Sequence, residues 1–148
     1  MADPLFGFIG LGAMVGPMAR NITEKGHAMI IHDIAGTADR GPESAEIEQS
    51  NAEIARRARV IALSLPTTDA NRAVIEKIAK AGHAGSVIVD TCTIGPKAAA
   101  ENSRVLEAVG IAYVESPVSR MKSGAEAGTL PSMRSGIEDA IERARPLI

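Results

Sequence analysis

Two glycines and one aspartate carry the first suggestion of chemistry. Gly10 and Gly12 stand in the stretch GFIGLGAMVGPMARN, Gly7–Asn21, at the spacing that opens a Gly-x-Gly-x-x-Gly turn. In such a turn the first glycine permits the tight bend and the second lets backbone approach a pyrophosphate. The third lets the following helix pack close to the strand. The helix N-terminus then offers unpaired N–H groups and its positive dipole end to the phosphates. Here the third glycine is displaced: Val15 holds its place and Gly16 follows. The expected penalty falls on helix packing, about 1–3 kcal/mol for the extra side chain and roughly 1 kcal/mol for a glycine inside the helix. The phosphate cradle itself is expected to survive, and Val15→Gly to raise stability more than it alters the cofactor bound. Asp33 lies 21 positions after Gly12, close to the roughly 20 expected of a carboxylate that binds an adenosine ribose. A carboxylate there accepts from both ribose hydroxyls and repels a 2′-phosphate. The following Ile34 and Ala35 supply no arginine for that phosphate, so NAD is expected rather than NADP. A ligand-free strand-to-helix turn and a surface loop acid are the alternatives that the turn and the acid, taken singly, leave open.

The elements that must position these residues alternate between short apolar runs and longer amphipathic ones. Strands are predicted at Leu5–Ile9, in HAMIIHD, RVIALSLP, GSVIVDT and IAYVES, with a short one in AEIEQS. Helices are predicted at Met14–Lys25, in AEIARRA with Asn51 as cap, from a Thr68 or Asp69 cap through Lys80, over Pro96–Val109, and over Gly136–Arg145. Residues 35–44 read as loop or weak helix. The stretch after Ser116 reads as a long loop with one short strand near Thr129–Met133. Strands this apolar suit a parallel sheet covered on both faces. With right-handed crossovers the fold class is α/β, a doubly wound Rossmann-type sheet, mostly parallel, with helices on both faces.

The totals restrict the function. A chain of 148 residues is most simply one domain with a core of its own. Phe6, Phe8 and Tyr113 are the only aromatics, so that core is aliphatic. The net charge of −2 and scattered basic residues argue against nucleic acid as a partner. No apolar run approaches the roughly 18 residues of a membrane span, and no basic region precedes the first apolar run as in a signal peptide. Cys92 is the single cysteine, which suits a reducing cytoplasm. No basic partner is evident to make it a nucleophile, so it reads as a buried, inert thiol. His27 and His32, an odd number of positions apart, should face opposite sides of a strand, which speaks against a metal site. Arg56, Arg57 and Arg59 read as a solvated helix end. No serine stands in a G-x-S-x-G elbow, so hydrolase chemistry has no support.

Four segments together resemble the β-hydroxyacid dehydrogenases, whose members include 3-hydroxyisobutyrate dehydrogenase and tartronate semialdehyde reductase. Their dinucleotide-binding domain is of the 6-phosphogluconate dehydrogenase type. GFIGLGAMVGPMARNITEKGH resembles that family's opening; LSLP, VDTCTIGP and ESPVSRMKSGAEAGTL resemble its later segments, in order and at suitable spacing. The resemblance implies that Gly10, Leu11, Gly12, Ala13 and Met14 line the pyrophosphate and the cofactor's inner edge. It implies that Leu65 and Pro66 border the adenosine side and that Thr93 sits near the nicotinamide ribose. Ser119 would hydrogen-bond the carboxylate or hydroxyl end of a small hydroxyacid substrate; its other reading is a turn serine satisfying its own loop.

The departures from the pattern matter as well. Cys92 replaces a serine. Arg120 and Met121 replace two glycines whose backbone approaches a carboxylate; they either block that approach or, through Arg120, supply a positive charge instead. Residues 1–148 correspond to the N-terminal dinucleotide-binding domain, truncated before the family's helical C-terminal domain. That domain's boundary carries the family's catalytic lysine. Lys25, Lys77, Lys80, Lys97 and Lys122 are the only lysines, and none stands in the matching context, so no catalytic residue is assigned. The expected function is the NAD(P)-binding part of an oxidoreductase that interconverts a small β-hydroxyacid and its semialdehyde by hydride transfer. A non-catalytic dinucleotide-binding module and a degenerate fragment remain as alternatives. Self-association through the surface that the helical domain covers is also expected.

Overall fold

The computed structural model describes residues 4–11, 15–37, 41–117 and 136–147. Its strands are β1 (Phe6–Ile9), β2 (Met29–His32), β3 (Glu46–Ile47), β4 (Val60–Leu63), β5 (Val87–Asp90) and β6 (Ala112–Glu115). Its helices are α1 (Val15–Glu24), α2 (Asn51–Arg57), α3 (Thr68–Ala81), α4 (Pro96–Glu107) and α5 (Glu138–Ala144), the last followed by a 3₁₀ turn at Arg145–Leu147. The strands form one sheet in the order β3-β2-β1-β4-β5-β6. Every described pairing is parallel, with Phe6 opposite both Met29 and Val60, and Val87 opposite Ala112. Order runs outward in both directions from β1 and β4, so their boundary is where the winding reverses.

Alternation along each strand feeds two cores. Val60 and Ala62 of β4, Val87 and Val89 of β5, and Phe6 and Phe8 of β1 pack on the α1 and α5 side. Ile61, Leu63, Ile9, Ile30 and Ile88 pack on the side of α2, α3 and α4. Both faces are therefore apolar, as a parallel sheet between helices requires. Each fully buried isoleucine or leucine contributes about 1.5–3 kcal/mol through removal from water. Gly7 shows how tightly one helix lies: a Cβ there would come within 2.7 Å of Ile54 Cγ2 and 2.9 Å of Ala58 Cβ. At the β3 edge, which is two residues long, Arg57 of α2 pairs with Glu46 and Glu48, a solvated cluster rather than a binding patch.

Several boundaries move from their sequence-based positions. Ser50, not Asn51, caps α2: its backbone is extended and its hydroxyl accepts from Glu53 N at 3.2 Å. Thr67, not Thr68 or Asp69, caps α3 by accepting from Ala70 N at 3.1 Å. In both cases the capping oxygen belongs to the last residue still in extended backbone, one position earlier than the sequence suggests. Helix α4 ends at Glu107, short of Val109, because the amides of Val109, Gly110 and Ile111 turn back to Leu106 and Glu107. Helix α5 begins at Glu138 rather than Gly136. The strand expected near Thr129–Met133 and the side chain of Val15 lie outside the described residues.

Candidate functional site

The site is built where the C-terminal ends of β1, β2, β4 and β5 meet. In open α/β sheets this edge, at the strand-order reversal, is where ligands bind. Gly10 leaves β1 with φ +89, a conformation that L side chains rarely adopt. A Cβ at Gly10 would lie 2.0 Å from the Ser64 carbonyl oxygen and 2.9 Å from its carbon. The bend after β1 is thus pressed against the loop after β4, and only glycine fits. This is the tight bend expected of the first glycine of the turn. Leu11 follows, buried to 2% exposure.

Asp33 stands at the end of β2, as expected, but with a partner the sequence did not reveal. Its Oδ2 accepts the Leu11 amide at 2.6 Å and its Oδ1 accepts the Ala35 amide at 2.8 Å. The Asp33 amide donates to Thr37 Oγ1 at 2.9 Å, and that hydroxyl donates back to the Asp33 carbonyl at 3.2 Å. The carboxylate therefore fastens the glycine turn to the β2 loop. Ile34, beside it, is 94% exposed.

The loops after β4 and β5 are joined sideways. The Thr91 amide and hydroxyl both donate to the Leu63 carbonyl, at 3.0 and 2.7 Å. The Leu65 amide donates to Cys92 Sγ at 3.2 Å. Cys92 is buried, and burial together with the nearby Asp90 carboxylate pushes its thiol up to about 12. A thiol so far above neutral pH stays protonated, in keeping with the inert role expected of it. Leu65 is half-buried, while Pro66 and Thr93 are exposed at this edge.

Beneath the β5 loop lies a buried polar cluster that sequence reading missed. Asp90 is fully buried. Its Oδ1 accepts from Cys92 N at 3.0 Å; its Oδ2 accepts from Asn71 Nδ2 and from the Tyr113 hydroxyl, each at 2.8 Å. Asn102 Nδ2 donates to Asn71 Oδ1 at 2.7 Å. Burial and the Asp90 carboxylate raise the Tyr113 hydroxyl well above its ordinary range. The signal available was two asparagines on the apolar faces of α3 and α4, and an acid closing the apolar run SVIVD. Such residues stay buried only with partners.

Gly10, Leu11, Asp33, Leu65, Pro66 and Thr93 all fall on this one edge. Gly12, Ala13, Met14, Ser119 and Arg120 lie outside the described residues. The two histidines are engaged apart from one another: His27 meets Phe6 edge-on at 5.3 Å, and His32 Nδ1 lies 2.9 Å from the Glu48 carbonyl. Among the described residues no group of three or more His, Cys, Asp or Glu could hold a metal ion. Among the same residues no helix is long and apolar enough to cross a membrane.

Comparison with known proteins gives this geometry a lineage. The chain is 32% identical over 151 residues to human mitochondrial 3-hydroxyisobutyrate dehydrogenase, covering 96% of this chain and 44% of that protein. It is 35% identical over 147 residues to 2-(hydroxymethyl)glutarate dehydrogenase of Eubacterium barkeri, covering 96% and 49%. The solved 3-hydroxyisobutyrate dehydrogenase of Mycobacterium tuberculosis, with L-serine, superposes with a TM-score of 0.89 at 30% identity, over 99% of this chain and 51% of that one. The chain thus spans about half the length of the curated relatives it matches. A family model for the NAD binding domain of 6-phosphogluconate dehydrogenase matches residues 5–148. With that match over nearly the whole chain, on a parallel sheet whose strand order reverses beside a glycine-only turn, this chain belongs to that family of NAD-binding domains.

Proposed function

We propose that this chain is the cofactor-binding part of a β-hydroxyacid dehydrogenase, with NAD as the cofactor it prefers. The observation that carries the proposal is the pairing of Gly10 and Asp33 at the reversal of the sheet. The first is a bend no side chain can enter, and the second is an acid held to that bend through Leu11. Around a dinucleotide, Gly10 and the residues through Met14 follow the pyrophosphate and Asp33 accepts from the adenosine ribose. Leu65 and Pro66 border the adenosine side, and Thr93 meets the nicotinamide ribose. When bound, the nicotinamide supplies a hydride acceptor or donor. Ser119, with Arg120 beside it, orients the carboxylate or hydroxyl end of a small hydroxyacid.

A hydroxyl that loses hydride must also lose its proton, and that step needs a positioned acid or base. None of Lys25, Lys77, Lys80, Lys97 and Lys122 stands where the family's lysine does. This favours a second reading for the 148 residues by themselves: a module that binds cofactor with little turnover. Titration with NADH, read by nicotinamide fluorescence, tests the binding claim; a saturable change is expected, and its absence would sink the proposal. Turnover of 3-hydroxyisobutyrate by these residues alone would sink the claim about the lysine.

A further inference from the structure

We propose that Asp90 is a positioning residue for the nicotinamide half of the cofactor, acting through the Thr91–Thr93 turn. The proposal rests on the cofactor reading above. Asp90 closes β5 on the face shared with Ile88, toward α3 and α4, and is fully out of solvent. Its carboxylate draws donors from three places: Asn71 of α3, Tyr113 of β6, and the amide of Cys92 in its own loop. Asn102 of α4 then fixes Asn71. A sheet end filled with aliphatic side chains would need none of these desolvated groups. A fully satisfied buried network instead specifies one arrangement of the elements it joins.

What it specifies here is the loop after β5. Asp90 holds the Cys92 amide from below. From the side, Thr91 donates twice to the Leu63 carbonyl and Cys92 Sγ accepts the Leu65 amide. Thr91 and Cys92 are buried and clamped; Thr93, the next residue, is exposed at the ligand edge. Thr93 is thus carried on a turn with two directions of restraint, and the Gly10 bend presses on the same β4 loop at Ser64. Removing the restraint from below should disturb Thr93, which follows Cys92 directly, more than the adenosine side, where Asp33 keeps its own hold on the glycine turn and only the Leu65 amide leans on Cys92.

Asp90→Asn keeps the shape but places an NH₂ group against donors. If its oxygen still accepts from Cys92 N, its amide nitrogen faces Asn71 Nδ2 and the Tyr113 hydroxyl. The test compares NADH with ADP-ribose, which lacks the nicotinamide, on the wild-type chain and on Asp90→Asn. About a tenfold weakening is expected for NADH, with ADP-ribose changed by less than about twofold. The fluorescence change of bound NADH should fall with it. Should Asp90→Asn not fold, Tyr113→Phe removes one donor while keeping the ring in the core. About a threefold loss for NADH, and none for ADP-ribose, is then expected. Equal losses for the two ligands, or none for either, would overturn the positioning role while leaving the cofactor reading intact. A wild-type chain that binds neither ligand would overturn the cofactor reading and the positioning role with it.

Discussion

Asp33 Oδ2 accepts the Leu11 amide at 2.6 Å, so the acid at the end of β2 holds the glycine turn at the end of β1. On the proposed function the same carboxylate has a second job, accepting from the ribose. Asp33→Asn retains at most one of the two backbone bonds, because its amide nitrogen faces an N–H. We expect NADH affinity to fall by about 1–3 kcal/mol and discrimination against NADPH to shrink. Parallel titrations with both nucleotides check this. A wild-type preference for NADPH would show that the ribose role is misassigned.

Gly10→Ala should be among the most damaging single changes. The left-handed backbone costs an L residue about 1–2 kcal/mol, and a Cβ 2.0 Å from a backbone oxygen adds at least the about 1–3 kcal/mol of overpacking. Urea unfolding should show a loss of about 2–5 kcal/mol. Gly7→Ala meets the side chains of Ile54, Ala58 and Ile61 rather than backbone, and should cost about 1–3 kcal/mol while leaving nucleotide affinity nearly unchanged.

Stability should fall above pH 9. The Cys92 thiol is raised from 9.0 to about 12, first by burial and then by Asp90. Between those values the unfolded chain has released the thiol proton and the folded chain still holds it. The contribution is fully present below about pH 9 and is lost as pH rises toward 12, by up to about 1.4 kcal/mol per pH unit. Tyr113 moves in the same direction at higher pH. Urea midpoints from pH 8 to 11 should decline, and Cys92→Ala should flatten the slope. An unchanged slope would mean that the thiol ionises while folded.

Buried polar groups should respond to truncation with opposite signs. Ser86 Oγ is buried without a partner among the described residues, so Ser86→Ala should stabilise by about 1 kcal/mol. Asn71 both donates to Asp90 and accepts from Asn102, so Asn71→Ala should destabilise by about 2–4 kcal/mol. Thermal and urea melts distinguish the two directions.

The architecture was legible in the sequence because a parallel sheet covered on both faces leaves a local signature. Val60–Leu63 and Val87–Asp90 are runs too apolar for a wet face; the first is followed by a helix capped by Thr67 and the second by a helix that opens on Pro96. Gly10 and Asp33 were legible for a similar reason, since a glycine turn after a strand and an acid closing a strand are local in the chain, whereas the Ser64 carbonyl that excludes a Cβ at Gly10 is not. Cap positions slipped by one residue at Ser50 and Thr67, because propensity does not say which of two neighbouring polar residues is the last in extended backbone.

The sequence by itself determined the element types, the alternation that separates the two cores, and which residues are proposed to hold a dinucleotide. Tertiary structure alone decided what those residues touch. Asp33 meets Leu11 across 22 positions, and Asn102 meets Asn71 across 31. Cys92 meets Leu65 across 27. Hydrogen bonds form between atoms brought to within about 3 Å, and for these pairs only the packing of parallel strands and their crossover helices sets that distance.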